Sequence, residues 1–381
     1  MRVLRVYHSA VVTPWRERDR RLRRLGAEVT LISPRAWNEG GRRVLLEVGT
    51  DDFVRPARTL GRHPYLFAYD PRPLWRALRS GWFDVVDIHE EPASLAVAEV
   101  LALMWLARCR ASVCLYSAQN IAKRYPVPFR WFERIALRRA GAVHTCNEEA
   151  GRILRHKGFT GILCNLGLGV DVAWFGSARP EVGTPAAGGA GLRVGYVGRL
   201  EAHKGVSVLV DAVAAVPEVS LEIVGDGPER HALASQIARL GLGDRVRISG
   251  FTTPEELPAV YRRFDVLAIP SLETPGWIEQ FGRVAVEAMA SGVPVVASDS
   301  GSLPEVVGDA GLLVPPGDAV ALAEALRGLA ADPAGRAALS SRARERARRW
   351  SWEEIARRQC GLYRSMVDRS ATGAASGAGR R

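Results

Sequence analysis

The chain has 381 residues, 47% hydrophobic and 24% charged, a balance that excludes wholesale disorder and a polytopic membrane protein. One hydrophobic core rarely grows past about 250–300 residues, so two domains are expected. Lys plus Arg total 52 against 41 Asp plus Glu, a formal +11; residues 1–190 hold 29 basic and 18 acidic side chains and the rest 23 of each, so the whole excess is N-terminal.

In chain order, Met1–Tyr7 lacks the apolar run of a signal peptide. Short β-branched runs at Val3–Tyr7, Glu28–Ile32, Asp84–Ile88, Ser112–Tyr116 and Ala142–Cys146 read as buried strands. Helical segments near 15–25, 72–80, 92–108, 128–139 and 147–157 separate them. This alternation predicts a parallel sheet with helices on both faces. The apolar stretch Leu95–Ala107 is too short to span a bilayer and contains Glu99, so it reads as a buried helix. Residues 177–191, SARPEVGTPAAGGAG, have no apolar periodicity and read as a linker between a first domain, 1–176, and a second, 192–350.

The rhythm then restarts. Strands are predicted at Leu192–Val197, Ser220–Val224, Arg245–Ile248, Asp265–Ile269, Pro294–Ala297 and Leu312–Val314, with helices near 204–215, 228–240, 254–263, 283–291, 318–331 and 333–349. The Ala/Gly/Ser-rich tail 370–381 reads as disordered. Five scattered cysteines without CxxC spacing support neither a disulfide framework nor a zinc site and suit a reducing cytosol. Two doubly wound domains in tandem suit dehydrogenases and nucleotide-sugar enzymes equally, ligands of open α/β sheets binding at the carboxyl ends of the strands.

Motifs separate these readings. No GxGxxG follows the first strand, where Tyr7-His8-Ser9-Ala10-Val11 stands, which argues against a dinucleotide site there. In the second domain a strand ends in Gly198, a short loop carries Arg199, and Lys204-Gly205 opens a helix. Two cations beside a helix N-terminus and a glycine-lined backbone suit a diphosphate. Lys204 is one of only three lysines, with Lys123 and Lys157, among 49 arginines. Farther on, Glu279 and Glu287 lie eight residues apart around Phe281-Gly282, which starts an apolar helix. Glu279 would sit at the helix mouth and Glu287 one to two turns in, both able to accept hydrogen bonds from sugar hydroxyls.

These residues resemble the retaining family 4 glycosyltransferases of the two-Rossmann-domain GT-B fold, whose hallmark is Glu-x7-Glu, here EQFGRVAVE at 279–287. GRLEAHKG at 198–205, IVGDGPER at 223–230, SGF at 249–251, DVLAIPS at 265–271 and GLLVPPGD at 311–318 match in order. The first domain matches more loosely, through DVVDIHEEP at 84–92 and GVDVAWF at 169–175.

The resemblance implies two Rossmann-like domains facing across a cleft, with a closing helix at 351–369, opened by Ser351-Trp352, crossing back onto the first. It implies that Arg199 and Lys204 hold the donor diphosphate, that Glu287 accepts from ribose hydroxyls, and that Glu279 binds the donor sugar beside the backbone N–H groups of Phe281, Gly282 and Arg283. Gly198, Gly225, Asp226, Gly227, Gly250 and Phe251 would border the nucleotide. A nucleotide-diphosphate sugar is then the co-substrate. No D-x-D triplet occurs and two fixed cations face the diphosphate, so metal-independent transfer is expected, with no resident cofactor.

Two departures mark the first domain. The Gly-Gly loop frequent after the family's first strand is replaced by His8-Ser9-Ala10-Val11, and the usual strand-end His by Gln119 within Tyr116-Ser117-Ala118-Gln119-Asn120. His89 becomes the candidate for contacting the reacting groups, with Ser9, Gln119 and Asn120 on the acceptor side. Arg16, Arg18, Arg20, Arg21, Arg23 and Arg24 crowd the first helix, and Lys123–Arg139 mixes cations with aromatics. Both stretches suit an anionic membrane surface, on the inner face if the protein is cytoplasmic, or an anionic acceptor. No nucleic-acid-binding signature is present. The acceptor is left open among a lipid-linked glycan, a polysaccharide and a small natural product. The alternative functions are a nucleotide-sugar epimerase of similar fold and a non-catalytic nucleotide-sugar-binding protein.

Overall fold

The computed structural model describes residues 1–39, 42–177 and 191–378, and the chain divides into two compact units, Met1–Gly167 with Trp352–Arg381, and Leu168–Ser351. Nearly all of the stretch read as a linker lies outside the described residues.

The first unit is built on seven parallel strands: β1 (Arg2–Val6), β2 (Glu28–Pro34), β3 (Val54–Ala57), β4 (Val85–Ile88), β5 (Ser112–Ser117), β6 (Ala140–Thr145) and β7 (Ile162–Asn165). Their order is β7-β6-β5-β4-β1-β2-β3, with Val6 opposite both Ile32 and Ile88. Helices cover both faces, so central strands such as β4 are buried residue by residue, which is why they read as continuous β-branched runs. The sequence pattern misses β3 and β7. Both are edge strands, and β3 carries Arg55 and Pro56, tolerated because an edge needs no complete ladder. Two short antiparallel pairs, Ala36–Glu39 with Arg42–Leu45 and Thr59–Leu60 with Ala68–Tyr69, are added to the unit.

The helix Leu95–Leu106 starts where the Ser94 hydroxyl accepts from Val97 N–H, and the helix Glu148–His156 where Asn147 accepts from Ala150 N–H at 2.7 Å. The final helix, Trp352–Ala378, belongs to this unit. Ala356, Cys360, Leu362, Tyr363 and Met366 are buried in one cluster with Val3, Leu22, Leu31 and Val85. Its backbone continues to Ala378, well into the tail read as disordered; alanine is the strongest helix former, so low sequence complexity there did not mean absence of helix. Residues 379–381 lie outside the described residues.

The second unit holds six parallel strands: β8 (Leu192–Val197), β9 (Val219–Val224), β10 (Val246–Gly250), β11 (Val266–Ile269), β12 (Val295–Ser298) and β13 (Gly311–Val314), in the order β10-β9-β8-β11-β12-β13. Its core joins Val194, Tyr196, Leu209, Val213, Leu221, Val266, Val296 and Leu326. The unit begins at Leu168 rather than at the linker because the short helix Val172–Gly176 is anchored there. Phe175 packs edge-on to Tyr261, and Val170 bridges Ser351.

In both sheets the chain leaves one central strand, builds to one side, and returns to the other. The reversal falls between β1 and β4 in the first unit and between β8 and β11 in the second. Helices there depart to opposite faces, opening a crevice at the carboxyl ends.

Candidate active site

In the second unit the switch point is occupied by side chains from both flanking strands. After β8, Lys204 Nζ donates to Glu279 Oε2 at 2.8 Å, and Glu279 follows β11. Ser271 Oγ donates to the same oxygen at 3.3 Å. Lys204 Nζ also stands 4.4 Å from the centroid of Trp277, whose ring packs on His203 at 4.0 Å. The ammonium is therefore fixed from two directions, by a carboxylate and an aromatic face. Arg199 pairs with Glu201, which also holds His203 Nε2 at 3.0 Å; the Arg199 guanidinium is mostly exposed.

The loops after β8 and β9 touch through their glycines. Gly225 has φ +153°, and a Cβ there would lie 1.8 Å from the carbonyl oxygen of Gly198. Leu200 N–H donates to Asp226 O at 3.0 Å and Glu229 N–H to Leu200 O at 3.0 Å, locking the two loops together. Asp226 Oδ1 accepts from Gly227 N–H at 2.9 Å. Gly250 ends β10, and Phe251 beyond it is exposed.

The helix Arg283–Ala290 is entered through Gly282 at φ +76°, where a Cβ would collide with Leu303 Cδ2 at 2.6 Å. Glu287, on its second turn, is buried: Tyr261 Oη donates to Oε2 at 2.8 Å and Arg283 Nε pairs with Oε1 at 3.1 Å. Burial, reinforced by Glu287, holds the Tyr261 phenol well above its usual range, so it stays a donor. The Phe281 side chain is buried edge-on to Trp350, which leaves its backbone rather than its ring for a ligand.

The second unit thus gathers Gly198, Arg199, Lys204, Gly225, Asp226, Gly227, Glu279, Gly282, Arg283 and Glu287 around the carboxyl ends of its strands. Sequence reading missed Tyr261, Ser271 and Trp277. Ser271 lies two residues past a recognisable strand and could have been found; Tyr261 carries no local signal, because its partner is 26 residues away.

The first unit needs correction. His89 is 3% exposed, stacked on Tyr116 at 3.9 Å and against Tyr7 at 4.1 Å. Burial, with Arg18, His144 and Arg5 nearby, drives its pKa well below the usual imidazole value. It is a packing residue, not one presented to a ligand. Asp87, His89 and His144 converge closely enough to suggest a metal trio, but Arg5 Nε already donates to Asp87 Oδ2 at 3.0 Å, so a cation is in place. Tyr363 and Gln359 of the final helix donate to the same oxygen at 2.5 and 2.8 Å.

Ser9, Gln119 and Asn120 are buried as well. Gln119 is occupied internally, Oε1 accepting from Ile121 N–H at 3.2 Å and Nε2 donating to Tyr65 Oη at 3.3 Å. The residues that straddle the first switch point are instead His8, after β1, and Glu90, after β4. His8 donates its backbone N–H to Glu90 Oε1 at 2.8 Å, and its Nδ1 lies 2.5 Å from Oε2; the His8 side chain keeps 19% exposure. Next to them Glu91 accepts from Ser117 Oγ and Ala118 N–H, and burial lifts its pKa to about 7.

The arginine-rich first helix is not an open basic face. Arg16 and Arg18 are buried, Arg16 and Arg20 pair with Asp51, Arg21 with Glu17 and Glu353, and Arg23 with Asp52. Spacing along the helix shows Glu17, but it could not reveal Asp51, Asp52 and Glu353, which come from distant segments.

Two parallel-sheet units, each with a polar switch point, define a tandem Rossmann-like protein. A family model described as "Glycosyl transferases group 1" matches residues 189–349, and one described as "Glycosyl transferase 4-like domain" matches 16–161. The chain belongs to the family 4 glycosyltransferases and has the GT-B fold.

It is 37% identical over 203 residues to a D-inositol 3-phosphate glycosyltransferase of Corynebacterium urealyticum, covering 50% of this chain and 46% of that protein. Against a 2-deoxystreptamine glucosyltransferase of Streptomyces kanamyceticus it is 35% identical over 217 residues, 53% of this chain and 54% of that one. The chain thus spans about half the length of these curated relatives. Among solved structures, Anabaena HepE in complex with UDP superimposes with a TM-score of 0.73 at 20% identity, over 96% of this chain and 100% of that one. Sucrose-phosphate synthase from Thermosynechococcus elongatus superimposes at 0.69 with 23% identity, over 97% and 99%. These likenesses concern the fold. Among the described residues no helix is long and apolar enough to cross a membrane.

Proposed function

We propose that the chain transfers a sugar from a nucleoside-diphosphate donor to an acceptor hydroxyl, with retention at the anomeric carbon and without a metal ion. The observation that carries this is the Lys204–Glu279 pair at the second unit's switch point, an ammonium for the diphosphate beside a carboxylate for sugar hydroxyls. Arg199 supplies a second cation. Charge builds on the diphosphate as the anomeric C–O bond breaks, and positioned cations stabilise that change most. The bonding pair leaves with the diphosphate and the anomeric carbon gains oxocarbenium character. The acceptor oxygen bonds to the same face, and its proton passes to an oxygen of the departing phosphate. Glu287, held by Tyr261 and Arg283, is placed to accept from ribose hydroxyls, and the Gly198–Gly225 contact keeps the adjoining backbone flat enough for a nucleotide.

On the acceptor side, His8 oriented by Glu90 replaces His89 as the residue placed to meet a hydroxyl. The relatives named for inositol phosphate and deoxystreptamine favour a small polyhydroxylated ring as acceptor over a polysaccharide. The five cysteines, none of them in a disulfide, suit a reducing cytosol.

The test is incubation with UDP-, GDP-, ADP- and dTDP-sugars, with EDTA present, and with cyclitol phosphates and aminocyclitols as acceptors. The product's anomeric configuration is read by NMR. Retention in EDTA is the expected result. An inverted product, or activity only with added metal, would overturn those parts of the reading. A rearranged sugar without acceptor would identify an epimerase, and tight donor binding without turnover a non-catalytic binder.

A further inference from the structure

The helix Phe129–Arg139 presents an outer face of unusual chemistry. Trp131, Ile135 and Arg139 follow one another at four-residue spacing, and Arg130, Arg134 and Arg138 form the adjacent row, all exposed, while Ala136 and Leu137 are buried beneath. Trp131 is 55% and Ile135 54% exposed, so an apolar strip lies between cations. The loop leading in adds exposed Lys123, Arg124 and Val127. The one acid from 121 to 139, Glu133, is held by Lys157 Nζ at 2.6 Å and does not neutralise the face.

The neighbouring helix, Leu95–Leu106, packs against this one. Both run back against the parallel strands, so their C-termini lie at the same end of the sheet. That end adds Trp105, 77% exposed, and Leu106, with exposed Arg108 and Arg110 just beyond.

We propose that this face, formed by the helices Leu95–Leu106 and Phe129–Arg139, docks the chain on an anionic lipid bilayer. Indole and aliphatic side chains enter the headgroup layer while the arginines meet lipid phosphates, an arrangement typical of interfacial helices. A second copy of the chain fits poorly, because a two-fold contact would set each arginine row against itself. Arg16, Arg20, Arg21 and Arg23, at the first helix, do not contribute, being tied to Asp51, Asp52, Glu17 and Glu353. Docking is read without turnover, so it stands or falls separately from the sugar-transfer reading.

The test uses the full chain with vesicles of equal phosphatidylglycerol and phosphatidylcholine, against phosphatidylcholine alone, in co-sedimentation at roughly 0.05 M and 0.5 M salt. Binding is expected to the anionic vesicles only and to fall with salt. Arg130→Glu/Arg134→Glu/Arg138→Glu should weaken it by about a hundredfold or more, and Trp131→Ala/Ile135→Ala by about tenfold. Arg24→Glu should leave it unchanged. All substituted side chains are exposed, and circular dichroism with thermal melting confirms that each variant folds. Equal binding to neutral vesicles, no binding to anionic ones, wild-type binding by the triple variant, or lipid-free self-association abolished by Trp131→Ala/Ile135→Ala would overturn the proposal.

Discussion

Replacing Lys204 by alanine removes the cation that joins the two strands flanking the second unit's switch point. Nζ lies 2.8 Å from Glu279 Oε2, and both side chains are largely shielded from water. A hydrogen bond to a charged group contributes about 1.5–3 kcal/mol, so if Lys204 holds the diphosphate as proposed, its loss should weaken nucleoside-diphosphate binding by roughly 10- to 150-fold. In the proposed complex the variant also leaves the Glu279 carboxylate beside the diphosphate without its counter-charge. Like charges at about 4 Å repel by around 4 kcal/mol at an effective dielectric constant near 20, an upper bound once water enters the gap. Neutralising that carboxylate in Lys204→Ala/Glu279→Gln should therefore recover part of the lost affinity. Titration calorimetry with UDP, GDP, ADP and dTDP measures both steps. A Lys204→Ala variant that binds the preferred diphosphate as tightly as the wild type would refute the reasoning, as would a double variant weaker than the single one.

Further outcomes follow from other contacts. Gly225→Ala puts a Cβ 1.8 Å from Gly198 O at φ +153°; it should cost about 1–3 kcal/mol of stability and abolish diphosphate-induced thermal stabilisation, and retention of that stabilisation would count against the glycine contact as a site element. Tyr261→Phe strips the buried Glu287 of its 2.8 Å donor and should lower unfolding stability by about 1.5–3 kcal/mol in urea titrations; a loss below about 0.5 kcal/mol would place the Glu287 charge elsewhere than assigned. Glu91, raised by burial to about 7, holds a proton in the folded chain that it loses near 4.3 when unfolded. Its contribution is complete at low pH and is lost as pH rises towards 7, by up to about 3 kcal/mol. Glu91→Gln should flatten the fall of melting temperature across that window, and an unchanged slope would mean that Glu91 ionises freely in the fold.

How much could be read in advance differs between the two units. In the second, the signals were local: Gly198, Arg199 and Lys204 lie within one loop, and Glu279 and Glu287 flank one helix start. Short spacing on a strand–loop–helix unit fixes where such residues emerge. In the first, the residues that face the switch point come from segments more than 80 positions apart, as His8 and Glu90 do, and no spacing rule connects them. His89 looked like the available histidine because it ends a strand; one step along the chain separates a core side chain from one at the crevice. Gln119 likewise turns inward, onto Tyr65 and the Ile121 N–H.

The opening surplus of charge shows the same division. Composition and order alone determined that the excess is N-terminal, that the strands alternate with helices, and that two parallel sheets result, because burial on both faces imposes continuous apolar runs and helices impose their own period. Which arginines remain at the surface was decided only by tertiary structure. Asp51, Asp52 and Glu353 come from other elements to neutralise the first helix, whereas among the described residues no ion pair reaches Arg130, Arg134, Arg138 or Arg139 on the outer rows of Phe129–Arg139. Charge pairing in a fold depends on which distant backbones are brought within a few ångströms, and that distance is not written in any window of the sequence.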